Sequence, residues 1–140
     1  MVYQVAYISF LEVDDFASEV DRILSTARRR NAAENITGIL IHVRGMFMQV
    51  LEGDAAAVKS TMSRIAADKR HSRITTVLER EVEERKFGGW NMGWCNAPDD
   101  HPAADELQRL GDPANHRSGP NATYTPLEDV LEAFFTLTRA

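Results

Sequence analysis

Two apolar stretches separated by only two residues constrain the fold of this chain more than any other feature. Residues 36–43 (ITGILIHV) and 46–52 (MFMQVLE) are rich in aliphatic side chains, and only Arg44-Gly45 lies between them. Short apolar runs joined by a two-residue turn that contains glycine are typical of a β-hairpin. The sequence therefore predicts two adjacent antiparallel strands near the middle of the chain.

The segments on either side of this hairpin complete a β-α-β-β-α-β-β order. Alternation of side chains favours strands, and apolar stripes at helical spacing favour helices. The predicted elements are a strand over 2–9, a helix capped by Asp14 or Asp15, the hairpin, a helix capped by Gly53-Asp54 that runs to about residue 67, and strands near 74–81 and around 90–95. This order predicts an α+β, ferredoxin-like fold: an antiparallel or mixed sheet with two helices on one face.

The composition changes after residue 97, which divides the chain into a domain over 1–97 and an extension over 98–140. Prolines and few apolar residues predict mostly loop over 96–122. A proline at the first helical position and a capping box then predict a C-terminal helix over 126–139. Because such a short apolar helix is marginal alone in water, we expect it to dock on its own sheet or on a second copy in a homo-oligomer.

Charge and composition exclude several classes of function. The net charge of −5 argues against nucleic acid as the main partner, since phosphate binding needs a basic surface. No apolar run approaches the ~20 residues that span a bilayer, and the N-terminus lacks the pattern of a signal peptide, so we expect no membrane partner and a cytoplasmic location. The single cysteine, Cys95, excludes an internal disulfide and a Cys-rich metal site, and a buried thiol is expected.

The run Arg28-Arg29-Arg30 is interpreted as a solvated helix end. The alternative is that these arginines contact the phosphate end of a ligand.

Three polar residues occupy positions where the pattern favours apolar ones. Gln49 lies within an apolar strand, Tyr7 near the end of the first strand, and Asn31 at the end of the first helical stripe. A buried amide or hydroxyl is costly unless it is hydrogen-bonded, so each needs a partner. Taken singly, each has an ordinary structural explanation. Together they could bind a ligand with several carbonyl and ring-nitrogen acceptors and one N–H donor, such as an isoalloxazine ring.

Several motifs, in this order and spacing, resemble the BLUF family of FAD-binding blue-light sensors. They are NITG, the Q-V-L-E-G strand end, the Arg70-His71 pair and W-x-M, and the resemblance covers about residues 1–97. It implies that the domain is a receptor and not an enzyme. It also implies FAD as the cofactor, with FMN or riboflavin as possible substitutes, and gives no metal site.

The resemblance also implies a role for individual residues. Tyr7 would bond the switch glutamine, Gln49, and Asn31 would hold the C4 carbonyl and N3–H of the flavin. The other residues implied to lie near the flavin are Asp68, Arg70 and His71, and, in the last strand beside Gln49, Trp90 and Met92. The helix-stripe residues are interpreted as core first and as flavin contacts second.

Light absorbed by the flavin would then drive electron and proton exchange with Tyr7 and Gln49. The amide of Gln49 would afterwards donate more strongly to the flavin, at its C4 carbonyl, and the spectrum would shift to the red. The signal would leave through the last strand and the C-terminal helix to a partner protein. The sequence leaves open the identity of that partner, the direction of the light response, the dark-recovery rate, the oligomeric state, and whether Trp90 or Met92 lies beside the flavin.

Two other classes of protein share such a fold. An acylphosphatase-like hydrolase would need a glycine-rich, phosphate-binding loop after the first strand, but the loop FLEVDD is acidic and has no glycine. A flavin-free interaction module is the other alternative. The presence of Tyr7, Asn31 and Gln49 argues against loss of a ligand site, and the colour of the purified protein distinguishes the two.

Overall fold

The predicted order of five strands and two helices is confirmed in a computed structural model that describes residues 1–11, 16–101 and 104–105, without the side chains of Leu11, Phe16 and His71. The elements are β1 (Val2–Leu11), α1 (Phe16–Glu34), β2 (Thr37–Val43), β3 (Met46–Gly53), α2 (Ala55–Ala66), β4 (His71–Val82) and β5 (Gly93–Asn96). The predicted caps Asp14 and Asp15 and the predicted helix over 126–139 lie outside the described residues.

The hairpin forms where the sequence predicts it. Strands β2 and β3 pair antiparallel, with Val43 opposite Met46 on either side of the turn. Arg44 and Gly45 both have positive φ, 52° and 75°. This combination belongs to the type I′ turn, whose twist matches that of the two strands it joins.

The sheet has the strand order β4-β1-β3-β2-β5. β1 lies between β3 and β4 and is antiparallel to both, whereas β5 is parallel to β2. The first four strands therefore have the ferredoxin-like arrangement, and β5 extends it into a mixed sheet, as predicted. Because β1 and β3 are neighbours, residues on the same face of these two strands lie side by side.

Both helices cover one face of the sheet. Val20 and Leu24 of α1 and Val58 of α2 belong to one buried cluster with Leu40 and Leu51 of the sheet. The opposite face forms a second buried cluster, whose members include Ile39, Ile41, Met48, Val50 and Cys95. The prediction that Cys95 is a buried thiol is confirmed.

Asn31, which the sequence places at the end of the first helical stripe, lies within the helix, because α1 continues to Glu34. The helix ends at Asn35, which has a left-handed φ of 55°, a conformation common just beyond helix ends. Asp54 is the N-cap residue of α2, as predicted, although its side chain makes no capping hydrogen bond.

The last two strands also have different bounds. β4 starts at His71 rather than near residue 74, because β1 continues to Leu11, which pairs with His71. β5 starts only at Gly93, so the prediction that Trp90 and Met92 lie in the last strand is wrong. They lie in the segment that enters β5, residues 90–92, where the carbonyl of Trp90 accepts a hydrogen bond from the Gly38 N–H.

Candidate functional site

A cavity of about 640 Å³, part of which is open to solvent, lies between the two helices and the sheet. Five of the predicted site residues line it: Tyr7, Asn31, Gln49, Asp68 and Arg70. The side chain of His71 lies outside the described residues. The structure thus places side chains from two strands, one helix and the loop after α2 around one cavity, although they are up to 63 positions apart in the sequence.

Tyr7 and Gln49 form a direct pair at the inner end of this cavity. They are opposite each other in the register of β1 and β3, which places both side chains on the same face. The Tyr7 hydroxyl donates a hydrogen bond to Gln49 Oε1, and both side chains are buried. The pairing explains how a polar amide is accommodated in an otherwise apolar strand.

Met92, and not Trp90, lies beside Gln49. The amide Nε2 of Gln49 donates to Met92 Sδ at 3.5 Å, and Met92 belongs to the cluster under the helices. Trp90 packs against the cluster on the opposite face, where its ring stacks on Phe87 with 6.4 Å between centroids. The segment between the two residues crosses from one face of the sheet to the other, so Met92 contacts the Gln49 amide and Trp90 packs on the opposite face.

Asn31 projects from the last turns of α1 and is buried. Its Nδ2 donates to the backbone carbonyl of Asn91 at 2.7 Å. A carboxamide has two N–H donors and an acceptor oxygen, so this bond uses only part of its capacity. Asn31 can therefore hold the backbone before β5 and still offer a donor and an acceptor to a ligand in the cavity.

Asp68 and Arg70 form the charged part of the cavity wall. The guanidinium of Arg70 donates to the Asp68 carboxylate through Nε at 2.9 Å, and to Glu19 of α1 through Nη1 at 3.2 Å. Hydrogen bonding to Asp68 raises the pKa of Arg70 above its usual value. Burial, together with the negative charge of Asp68, also raises the pKa of Tyr7 well above its usual value, so the phenol keeps its proton.

Apolar side chains line the cavity between these polar groups. Ile23 and Ala27 of α1 and Ile65 of α2 line the cavity, whereas Leu24 and Val58 of the same helices pack in the core. A cavity that combines apolar walls with a few buried hydrogen-bonding side chains suits a ring that carries carbonyl and N–H groups along one edge. The residues present therefore fit an isoalloxazine ring.

The sequence profile of BLUF, described as sensors of blue-light using FAD, matches residues 2–93. This chain belongs to the BLUF family. The resemblance seen in the sequence is thereby confirmed, and so is FAD as the flavin that the family uses. BLUF domains are sensors, in agreement with the prediction of a receptor rather than an enzyme.

Relatives of this BLUF chain include much longer proteins. Photoactivated adenylate cyclase subunit beta of Euglena gracilis is 36% identical over 114 residues, which are 81% of this chain and 11% of that protein. Blue light- and temperature-regulated antirepressor BluF of Escherichia coli is 33% identical over 92 residues, 66% of this chain and 23% of the relative. This chain therefore spans less than a quarter of the length of either relative.

A solved structure covers nearly all of the chain. The dark-state structure of the BLUF protein BlrB superimposes with a TM-score of 0.72 at 26% identity, over 96% of this chain and 93% of that one. The fold and its family are thus supported by sequence and by structure. Within the described residues, neither helix is long and apolar enough to cross a membrane.

The outer part of the cavity contains residues to which the sequence did not point. Arg64 of α2 donates to the Glu34 carboxylate of α1 at 3.1 Å and to the Thr61 hydroxyl at 3.0 Å. Hydrogen bonding to Arg64 lowers the pKa of Glu34. Thr61 interrupts the apolar stripe of α2 between Val58 and Ile65, and this break in periodicity is the one signal that could have marked it.

Proposed function

We propose that this BLUF domain is a blue-light receptor whose switch consists of Tyr7, Gln49 and Met92. The observation that carries the proposal is the chain of two hydrogen bonds through one amide: Gln49 accepts from the Tyr7 hydroxyl and donates to Met92 Sδ. All three side chains are buried, and Tyr7 and Gln49 line the inner end of the cavity that fits the flavin ring. A change in the Gln49 amide must therefore change its bonds to the tyrosine and to the methionine together.

A glutamine is suited to this position because its side chain is both donor and acceptor. Rotation or tautomerisation of the amide exchanges the two functions without moving the backbone. Two hydrogen-bond arrangements of similar energy form a bistable element, which a switch requires. Tyr7 stays protonated because its pKa is raised, so its hydroxyl is available as a donor in the dark.

The remaining polar residues of the cavity would hold the flavin. Asn31 would bind the edge of the ring that carries the C4 carbonyl and N3–H, and Asp68, Arg70 and His71 would lie at its pyrimidine end. When bound, FAD supplies the absorption of blue light. The residues of this chain orient the ring, exclude water from its inner edge and supply the hydrogen bond that changes.

The output is proposed to be a contact with a partner protein or with a second copy of the chain. Residues 1–97 would form the sensor, and residues 98–140 would carry the signal from the segment that enters β5. Relatives named as a photoactivated cyclase subunit and as an antirepressor support a role in controlling another protein or domain. If the extension carries the signal, deletion of 123–140 should change the oligomeric state or partner binding in light or dark. An unchanged state in both would contradict this part of the proposal.

The switch is tested by the absorption spectrum of the purified protein before and after a blue-light pulse. We expect an oxidised-flavin spectrum that shifts slightly to the red and recovers in the dark. Gln49→Leu should keep the flavin and abolish the shift. A flavin that bleaches or does not respond, or a shift that survives in Gln49→Leu, would contradict the proposed switch.

A further inference from the structure

The basic run at residues 28–30 divides into two surface residues and one with a specific partner. Arg29 and Arg30 are exposed, as expected for a solvated helix end. Arg28 is partly buried, and its Nε donates to the backbone carbonyl of Met92 at 3.0 Å. The interpretation of the run as solvated surface therefore holds for Arg29 and is wrong for Arg28. Arg30, although exposed, lines the cavity.

The segment that enters β5 is held at three consecutive carbonyls. The Gly38 N–H binds the carbonyl of Trp90, and Asn31 binds that of Asn91. Arg28 binds the third, that of Met92. Arg28 and Asn31 are one helical turn apart on α1, so the helix holds the two peptide groups on either side of the Met92 Cα.

Arg28 thus fixes the backbone of the residue whose side chain touches the switch glutamine. Met92 Sδ accepts from Gln49 at 3.5 Å, while its carbonyl accepts from the guanidinium. A hydrogen bond with a charged donor is stronger than a neutral one. An interaction present in only one of two conformations shifts the equilibrium toward that conformation.

We infer that Arg28 is a positioning residue that holds Met92 against Gln49 in the dark, and that displacement of Met92 after illumination breaks the Arg28–Met92 bond. The inference rests on the proposed function. It makes α1 a second element, besides β5, that senses the switch. It also means that the return to the dark state is favoured by re-formation of this bond.

The test is the dark-recovery time of the red-shifted state after a blue-light pulse, measured on the flavin-bound full chain. Arg28→Gln removes the charged donor, and Arg28→Met keeps the aliphatic part of the side chain but no N–H. We expect both variants to bind flavin and show the red shift, with recovery slowed about threefold or more by loss of a bond that favours the dark state.

Arg29→Gln is the matched control. It removes the same charge from the next residue along the helix, whose side chain is exposed. Its recovery time should equal that of the wild type. Unchanged or faster recovery in both Arg28 variants, or an equal slowing in Arg29→Gln, would overturn the role of Arg28. A wild-type protein that binds flavin and shows no red shift would instead contradict the proposed function, so the two failures are distinguishable.

Discussion

Glu52 is a fully buried carboxylate on the face of the sheet opposite the flavin cavity. Its Oε1 accepts from the Phe87 N–H at 2.7 Å and from the Thr37 hydroxyl at 3.2 Å. Its Oε2 accepts from the Lys86 N–H at 2.8 Å and from the Gln4 amide at 2.9 Å. The side chain therefore anchors the loop that leads to Trp90 and Met92. We predict that Glu52→Gln is strongly destabilising although it preserves shape.

The magnitude follows from the symmetry of these bonds. Each carboxylate oxygen accepts from one backbone N–H and one side chain, so either orientation of the new amide places an NH₂ group against a backbone donor. A rotated Thr37 hydroxyl can rescue one side-chain bond, whereas a flip of the Gln4 amide would turn its NH₂ group toward the Nε donor of Arg80. A backbone N–H cannot turn away. One buried unsatisfied donor costs about 1–3 kcal/mol, and the weaker bonds to a neutral acceptor raise the expected loss to about 2–4 kcal/mol.

The assay is urea unfolding in the dark with the same excess of FAD in every sample, so that ligand stabilisation contributes equally. Glu81→Gln is the control, because Glu81 is exposed on β4 and its loss should change the free energy of unfolding by no more than about 0.5 kcal/mol. A loss below about 1 kcal/mol for Glu52→Gln would refute this account of the loop anchor, because it is smaller than the cost of one orphaned backbone donor.

Three further predictions concern β2, Tyr7 and Met92. A Cβ at Gly38 would lie 1.9 Å from the Val50 carbonyl oxygen, so Gly38→Ala should lower the free energy of unfolding in urea by about 3 kcal/mol or more, and a neutral change would contradict the close strand packing. Because the pKa of Tyr7 is raised, the native state keeps a proton that the unfolded chain loses above about pH 10, so the free energy of unfolding falls as the pH rises beyond that value. Between neutral pH and pH 11, Tyr7→Phe should lose about 1.4 kcal/mol less of this free energy than the wild type. Equal losses in the two proteins would refute the shift. Met92 is 1% exposed, so Met92→Ala should lower the free energy of unfolding by about 2–5 kcal/mol and Met92→Leu by less than about 1.5 kcal/mol. A small loss of the same size in both variants would contradict the placement of Met92 in the core.

The elements of the fold were predictable because they depend on short-range patterns. The hairpin follows from two apolar runs and a turn that tolerates positive φ, and the actual turn has that geometry. The pairing of Tyr7 with Gln49 was also accessible, since the ferredoxin-like order makes β1 and β3 neighbours. Alternation along each strand then determines which side chains share a face.

The segment before β5 was not predictable from its own residues. Its apolar, aromatic composition is typical of a strand, but its carbonyls bind Gly38, Asn31 and Arg28, which are 52 to 64 positions away in the sequence. These tertiary bonds place Met92 on one face of the sheet and Trp90 on the other. For this reason the sequence left open which of the two lies beside Gln49.

The polar network around Glu52 escaped prediction for the same reason. The Q-V-L-E-G motif marks the end of β3, but nothing near Glu52 in the sequence indicates that its carboxylate binds a loop 34 and 35 positions later. Thr61 and Arg64 were missed because a threonine and an arginine on a helix are ordinarily exposed. Only the position of α1 against α2 reveals that Arg64 reaches Glu34.

In the proposed switch, blue light changes the hydrogen bond that Gln49 makes to the C4 carbonyl of an oxidised flavin. The light-minus-dark infrared spectrum of the FAD-bound protein tests it most directly, because the stretching frequency of the flavin C4 carbonyl falls when the hydrogen bond to it becomes stronger. We expect a lowered carbonyl frequency that returns to its dark value after the light is removed and is absent in Gln49→Leu. An unchanged carbonyl band in the wild type, or the same shift in Gln49→Leu, would contradict it.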